Sequence, residues 1–380
     1  MKLGMTFPTR FAIVAAVVVS IQAACRETSG PIDETPVPTK LDLGILWWPI
    51  SGTSDGGFVA LDDQGISRYT RDANRIWSVP HFGLGQCPTD PPCVTAVDDQ
   101  GDVYVPLYDG LVALTASGQE RWRALQVTGG VLAVGSGNLM YATTRPGAFL
   151  PNLLFALNKT NGQIVWQLTG AATFLLLDEA RKALYGIRGS ILLALDPLTG
   201  EEKWRASLPS NGRYAALGSN GTIYVVCNTS LVAVTPSGSA IQTASLGSEA
   251  NVFSPVIDDD GTVVVAHGRS VTAFKPDGSI KWDYTHQYVL APTSPAIDAA
   301  HNVYVVLFTG NGYTLVQIKN GQLNREIYPI NDPHGRAVLI AKDGRVFFNA
   351  HGSIIYFDTK GTNQAVWSQM GGGPGRTERR

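Results

Sequence analysis

Ala194-Leu195-Asp196-Pro197-Leu198-Thr199-Gly200-Glu201-Glu202-Lys203-Trp204 is the stretch whose reading decides the fold. Alternating apolar residues run into a turn centred on Thr199-Gly200, and the chain then returns to a tryptophan. That is a β-hairpin with its turn chemistry in the middle and a large aromatic anchor on the return strand.

The hairpin recurs. Taking the turn glycine and the residue four places later pairs Gly118 with Trp122, Gly162 with Trp166, Gly200 with Trp204 and Gly278 with Trp282. Gly238 leads to Gln242 and Gly321 to Arg325, where the tryptophan is lost; Ala73 leads to Trp77, where the glycine is lost; and Gly361 precedes Trp367 by six. The anchors at 77, 122, 166, 204, 242, 282, 325 and 367 are spaced by 38 to 45 residues. Eight units of that length match the period of four-stranded propeller blades. The sixth unit shows the expected strands: Ser254 to Ile257, a turn at Asp258-Asp259-Asp260-Gly261, then Thr262 to Ala266, Ser270 to Phe274 and Ile280 to Tyr284. No stretch after residue 43 keeps a 3.6-residue apolar period. The expected fold is all-β, an eight-bladed β-propeller of four-stranded antiparallel blades over residues 43–380. One such sheet cannot bury both its faces alone, and stacking eight radially covers them.

Composition narrows the class. Charged residues are 16% of the 380, the formal net charge is −2 and glycine numbers 41. This fits a turn-rich β protein and argues against nucleic acid as partner, since such surfaces carry a basic excess. The first 25 residues form a separate unit, with Lys2 and Arg10 ahead of the apolar run Phe11 to Ile21 and then Ala23-Ala24-Cys25. The layout is that of a secretory signal. Small residues followed by cysteine resemble a bacterial lipobox, with Gln22 where leucine is usual; plain export with an incidental Cys25 is the alternative. Arg26, in place of an aspartate, resembles the sorting pattern for the outer membrane. The expected location is therefore lipid-anchored to the outer membrane, facing the periplasm or the cell surface. Residues 26–42, rich in Pro, Thr, Ser and Gly up to Lys40, suit a flexible tether. Cys87 and Cys93 flank Pro-Thr-Asp-Pro-Pro and could close a small disulfide loop in an oxidising compartment. Cys227 lies in the apolar run Ile223 to Cys227 and reads as a buried thiol.

The chemistry-bearing residues are few. Asp62-Asp63, Asp98-Asp99 and Asp258-Asp259-Asp260 precede turn glycines in what look like equivalent repeat positions, without the alternate-ligand spacing of a calcium loop. They read as turn caps. His267 and His351 share an Ala-His-Gly context in blades six and eight, which repeat inheritance explains. His286 and His334 lie in connections leading to the inner strand of the next blade, where propeller ligands bind. The connection Asn331-Asp332-Pro333-His334-Gly335-Arg336 is the most polar of them, making Asp332, His334 and Arg336 candidate contacts with His286. Two insertions, His81 to Cys93 and Thr144 to Pro151, offer partner surface, the second presenting Phe149 and Leu150 at a loop tip. No nucleophile elbow and no phosphate loop occurs.

Ala194, Asp196, Thr199, Gly200 and Trp204 match the pattern Ala-x-Asp-x-x-Thr-Gly-x-x-x-Trp, which resembles the docking signature of quinoprotein-like propellers built from PQQ-like repeats. Ala156-Gly162-Trp166, Ala113-Gly118-Trp122 and Ala273-Gly278-Trp282 match it in part, and Trp77 and Trp367 hold the same place in their units. The resemblance implies that each tryptophan packs between its own alanine and the glycine of a neighbouring blade. It also implies one of two functions. Quinone-dependent dehydrogenases of this family use pyrroloquinoline quinone with calcium, the larger ones with an adjacent Cys-Cys pair that this chain lacks. Other members are non-catalytic envelope propellers, among them the lipoprotein subunit of the machinery that inserts outer-membrane β-barrels. The expectation is a monomeric envelope scaffold that binds other envelope proteins without a cofactor; a quinone-dependent oxidoreductase with a divergent site is the alternative.

Overall fold

The structure, a computed structural model, describes residues 37–45, 50–80, 94–107, 109–128, 130–144, 153–170, 172–247, 252–288, 290, 293–330, 338–350 and 352–359. Cys25, Cys87, Cys93, Phe149, Leu150, Asp332, His334, Arg336, His351 and Trp367 lie outside them.

From Pro38 onward the described residues form eight four-stranded antiparallel sheets and no helix. Blades 1 to 7 are continuous in sequence, at 51–79, 96–124, 132–169, 174–207, 212–245, 256–285 and 296–330. The first strand of each blade lies beside the first strands of its two neighbours, and those of blades 8 and 1 also meet, so the eight sheets close into a ring with these strands innermost.

Burial follows position in the blade. Second and third strands such as Val103–Leu107 and Gly110–Leu114 are buried on both faces, because each is sandwiched between neighbouring sheets. They accordingly read as near-continuous apolar runs. Outer strands such as Ile164–Thr169 and Ile280–Thr285 alternate, one face toward the next blade and one toward solvent. The exposed Ile76, Val165, Ile241, Ile280 and Leu323 fall one each on the outer strands of blades 1, 3, 5, 6 and 7. Cys227 is fully buried, and burial pushes its thiol above the ordinary value.

Blade 8 is completed from the other end of the chain. Its first three strands are Val338–Ile340, Arg345–Ala350 and Gly352–Asp358, and its outer strand is Thr39–Ile45, which pairs antiparallel with the third, Thr39 opposite Tyr356 and Asp42 opposite Ser353. The outer strand of the eighth unit, expected near Trp367, is thus supplied from the N-terminal side. It begins at Thr39, so residues 39–42 of the segment read as tether belong to the sheet. Pairing the two ends in one blade makes the last sheet a shared one, which leaves no blade held by the ring on one side only.

Because the strands are antiparallel, the ring has two distinct faces. The turns joining first to second and third to fourth strands lie on one, here called the turn face. Second-to-third hairpins and the connections between blades lie on the other, the loop face.

Candidate functional site: the blade seams and the loop face

At the turn face the seams between blades follow the docking pattern. Trp77, Trp122, Trp166 and Trp204 each sit on an outer strand and donate their indole N–H to a carbonyl in the next blade's outer turn: Ala116 at 3.0 Å, Lys159 at 2.7 Å, Pro197 at 3.1 Å and Pro236 at 2.8 Å. The turn glycines lie against these rings. A Cβ on Gly118, Gly162, Gly200 or Gly238 would come within 2.6 to 3.0 Å of the ring atoms, and all four have φ between +71° and +89°. Glycine is required there both for the left-handed backbone and for the close approach. Ala113, Ala156, Ala194 and Ala273 stand directly across the sheet from Trp122, Trp166, Trp204 and Trp282, each followed by a bulge. At the seam of blades 6 and 7 a Cβ on Gly321 would come 3.0 Å from the Cβ of Trp282, so this glycine faces the base of the side chain and not the ring. Tyr104, Tyr141 and Tyr185 back the rings of Trp122, Trp166 and Trp204 at centroid distances of 6.2, 5.8 and 5.7 Å.

The seam of blades 8 and 1 carries charge instead. Arg345, its side chain 8% exposed, donates to both oxygens of Asp358 (2.7 and 2.8 Å), to Asp72 (2.8 Å) and to the carbonyl of Arg71 (2.8 Å), and stacks over the Tyr356 ring at 4.8 Å. Arg71 reaches back to Asp343 and, at 2.7 Å, to Asp358. Ala73 stands here at the turn position held elsewhere by glycine and keeps the left-handed backbone, φ +59°.

The aspartates of the turns are caps. Asp98 Oδ1 accepts the N–H of Gln100 and of Asp102 at 3.0 Å, Asp298 Oδ1 accepts those of Ala300 and Asn302 at 2.9 Å, and Asp62 Oδ1 accepts those of Gln64 and Gly65. The expectation that Asp62, Asp98 and Asp258 occupy equivalent positions is corrected. Asp98 and Asp258 cap first-to-second turns on the turn face, whereas Asp62 caps the second-to-third hairpin of blade 1 on the loop face.

One seam residue that the sequence reading left without a role is His301. In the turn Asp298-Ala-Ala-His301 it takes the place of Gly56, Gly101, Gly221, Gly261 and Gly344 in other blades, with φ +62°. A histidine at a position that its repeats give to glycine is the signal that could have found it. Its Nδ1 lies 2.7 Å from Asp258 Oδ2 of blade 6 and 3.7 Å from Asp259. Donor atoms of these three residues lie within 4.8 Å of one another. Both Asp258 oxygens are engaged, Oδ1 by the Asp259 N–H and Oδ2 by His301, so the pair bridges the seam by a hydrogen bond that becomes an ion pair when the imidazole is protonated.

On the loop face His286 is held in the connection from blade 6 to blade 7. Its Nε2 lies 2.8 Å from the carbonyl oxygen of Phe308 and its Nδ1 3.3 Å from the Tyr284 hydroxyl. The rings of Tyr284, His286, Tyr288, Phe308 and Tyr313 run in contact across blades 6 and 7, with successive centroids 5.1 to 6.3 Å apart. His286 is thereby a positioned member of an aromatic cluster whose Tyr288 is 39% exposed. His267 lies 2.9 Å from Thr272, which donates to Asp283 at 2.5 Å. That Thr hydroxyl is buried and already donating, so the three form a structural network and not a nucleophile with its base. The segments 80–95, 144–152 and 331–337, which hold the insertions and the polar connection, are each flanked by strands that end on the loop face.

Pyrroloquinoline quinone is a tricarboxylate, held in its enzymes with calcium, and needs cations and carboxylates converging at the ring axis. Among the described residues the innermost strands offer one cation, Arg213, and one carboxylate, Asp178. Asp178 is 1% exposed and accepts from Arg181 at 3.1 Å. The described inner wall does not fit the quinone.

Repeat, docking geometry and eight closed sheets together define a propeller of PQQ-like repeats. Residues 62–186 and 188–376 match the family described as outer membrane protein assembly factor BamB, and the chain belongs to that family. Among solved structures, BamB from Moraxella catarrhalis is 17% identical, with 86% of this chain and 99% of that one covered at a TM-score of 0.64. Sqt1 from Saccharomyces cerevisiae is 9% identical, with 84% and 98% covered at 0.68. The quinohemoprotein alcohol dehydrogenase from Comamonas testosteroni is 12% identical, with 86% and 77% covered at 0.61. These likenesses concern the fold. No curated protein sequence matches the chain.

Proposed function

We propose that this propeller is a non-catalytic scaffold of the cell envelope that binds other envelope proteins, anchored by lipid at Cys25 to the outer membrane and working, like the family's namesake, in outer membrane protein assembly. The observation that carries this reading is the family match across both halves of the ring, supported by an N-terminal sequence laid out like an export signal and ending in Ala-Ala-Cys. The loop face is the surface assigned to the partner. Turn-face turns are short and repeat from blade to blade, whereas the loop face bears the connections that differ in length and composition. It also presents the aromatic cluster around Tyr288.

The test is site-specific photo-crosslinking in intact cells from Tyr288 on the loop face and from Leu198 on the turn face, both exposed. Expected is an envelope protein captured from Tyr288 and not from Leu198. Equal capture from both, or none, together with stoichiometric calcium-dependent binding of pyrroloquinoline quinone by calorimetry, would replace the scaffold by the oxidoreductase. For the anchor, Cys25→Ser should abolish metabolic labelling with radioactive palmitate; persistent labelling would place the lipid elsewhere.

A further inference from the structure

The seam between blades 6 and 7 differs chemically from the others. Asp98 and Asp298 each have a tyrosine six residues later whose hydroxyl donates to the second carboxylate oxygen: Tyr104 at 3.1 Å and Tyr304 at 2.7 Å. Each also has another donor, Lys159 at 3.2 Å for Asp98 and the Asn302 amide at 2.9 Å for Asp298. In blade 6 the sixth position is Val264, which cannot donate. Asp258 Oδ2 is met instead from blade 7, by His301. The carboxylate side chain is 4% exposed and the imidazole 53%. A buried anion is thus capped, across an interface between two sheets, by a solvent-reachable group that is the only side-chain type to change charge near neutral pH in its unperturbed state.

We propose that the His301–Asp258 pair is a pH-operated latch between blades 6 and 7, closed when the imidazole is protonated and released as it loses its proton. The groups that face it support this. From the blade 6 turn, Asp259 lies at 3.7 Å and Asp260 stands close by, the latter held by Lys281 of the outer strand at 2.7 Å and thereby unable to take the place of Asp258. From its own turn, Asp298 is turned inward onto Tyr304 and Asn302.

The hydrogen bond to Asp258, with the charge of that carboxylate, raises the His301 midpoint above its ordinary 6.5. Burial raises that of Asp258 in turn, against the Asp259 N–H and His301. A raised histidine contributes stability that is fully present below its unfolded value and lost as pH rises through the folded one. A raised carboxylate has the same sign, since its buried charge costs more the more fully it is ionised. The latch therefore loosens upward from about pH 6.5, the ordinary value for an imidazole. Docking at this seam differs from that of blades 1 to 5, the turn glycine facing the Cβ of Trp282 and not its ring, so the pair acts where the repeated ring-on-glycine contact is changed.

The discriminating variant is His301→Gly, which restores the residue found at this turn position in five other blades and so keeps the fold. Hydrogen exchange of peptides covering 256–264 and 296–304, corrected for intrinsic rates, is followed from pH 6 to 9 in the full protein and the variant. Expected is a loss of protection in the wild type, bounded at about tenfold for each pH unit by which folding raises the imidazole midpoint. The variant should show no such loss over that range. As a second readout, the His301 imidazole resonance should titrate above the ordinary value, and Asp258→Asn should move it down. Equal pH dependence in wild type and variant, or a His301 midpoint at or below the ordinary value, would overturn the latch.

Discussion

Going round the ring, the four seams from blade 1 to blade 5 and the closing seam between blades 8 and 1 solve one packing problem with opposite chemistry. In the first group an indole lies on a glycine and reaches a carbonyl beyond it, with polar contacts added around that common unit, among them the ion pair of Lys159 with Asp98 between blades 2 and 3. At the closing seam two arginines thread three aspartates from both ends of the described chain. Apolar docking depends neither on ionisation nor on charge screening, and it repeats wherever the local sequence repeats. A charge network depends on its solvent and needs each member placed individually. The difference teaches that the repeat holds the blades in series, and that closing the series into a ring is a separate task.

Four measurements would break or sharpen that contrast. Trp122 is the most buried of the docking tryptophans, at 8% exposure. Trp122→Ala should cost about 3–5 kcal/mol in urea unfolding at pH 7, and a much smaller loss would mean that the backing tyrosines carry the seam. Arg345→Ala removes a nearly buried guanidinium whose partners are half exposed, so about 2–4 kcal/mol is expected once solvent screening is allowed for. Third, Gly200→Ala places a methyl 3.0 Å from the Trp166 ring at φ +78°, for which about 1–3 kcal/mol is expected. In a double-mutant cycle Gly200→Ala should couple to Trp166→Ala and not to Arg345→Ala.

The smallest effect is a matter of sign. Arg345 holds the Asp358 carboxyl below its ordinary 3.8. A depressed carboxylate contributes stability that is present above its unfolded value and lost as pH falls through the folded one. Below about pH 4, the ordinary carboxylate range, the closing seam should weaken while the tryptophan seams hold. Limited proteolysis near Thr39 should then appear in acid and in high salt before any cut between blades 4 and 5, where Trp204 docks on the turn of Pro236 and Gly238. Simultaneous cutting at both would show that the seams open together.

Much of this architecture was written locally. The Ala-x-Asp-x-x-Thr-Gly-x-x-x-Trp stretch carries in eleven residues the strand, the left-handed turn and the anchor, and its recurrence predicts eight sheets. Residues 62–65 and 98–101 mark where local reading stops. Both are Asp-Asp-Gln-Gly, and both fold as aspartate-capped turns, yet one joins second to third strands on the loop face and the other first to second on the turn face. Turn chemistry depends on four residues, whereas place in the blade depends on which strands flank them. His301 was missed for a related reason. Its own turn looks ordinary, and its meaning lies in Asp258, 43 residues earlier, left without a tyrosine.

The sequence by itself determined the kind of sheet, the number of blades, most turn positions and the tryptophan anchors of blades 1 to 4, because each follows from side-chain alternation and turn propensity within a few residues. Only the tertiary structure decided that Thr39–Ile45 completes the eighth blade, that arginines close the ring and that a histidine of blade 7 caps a carboxylate of blade 6. Those contacts join residues that no periodicity links. They exist because bending eight sheets into a circle brings the two ends of the series together and sets every turn beside a turn from the next blade.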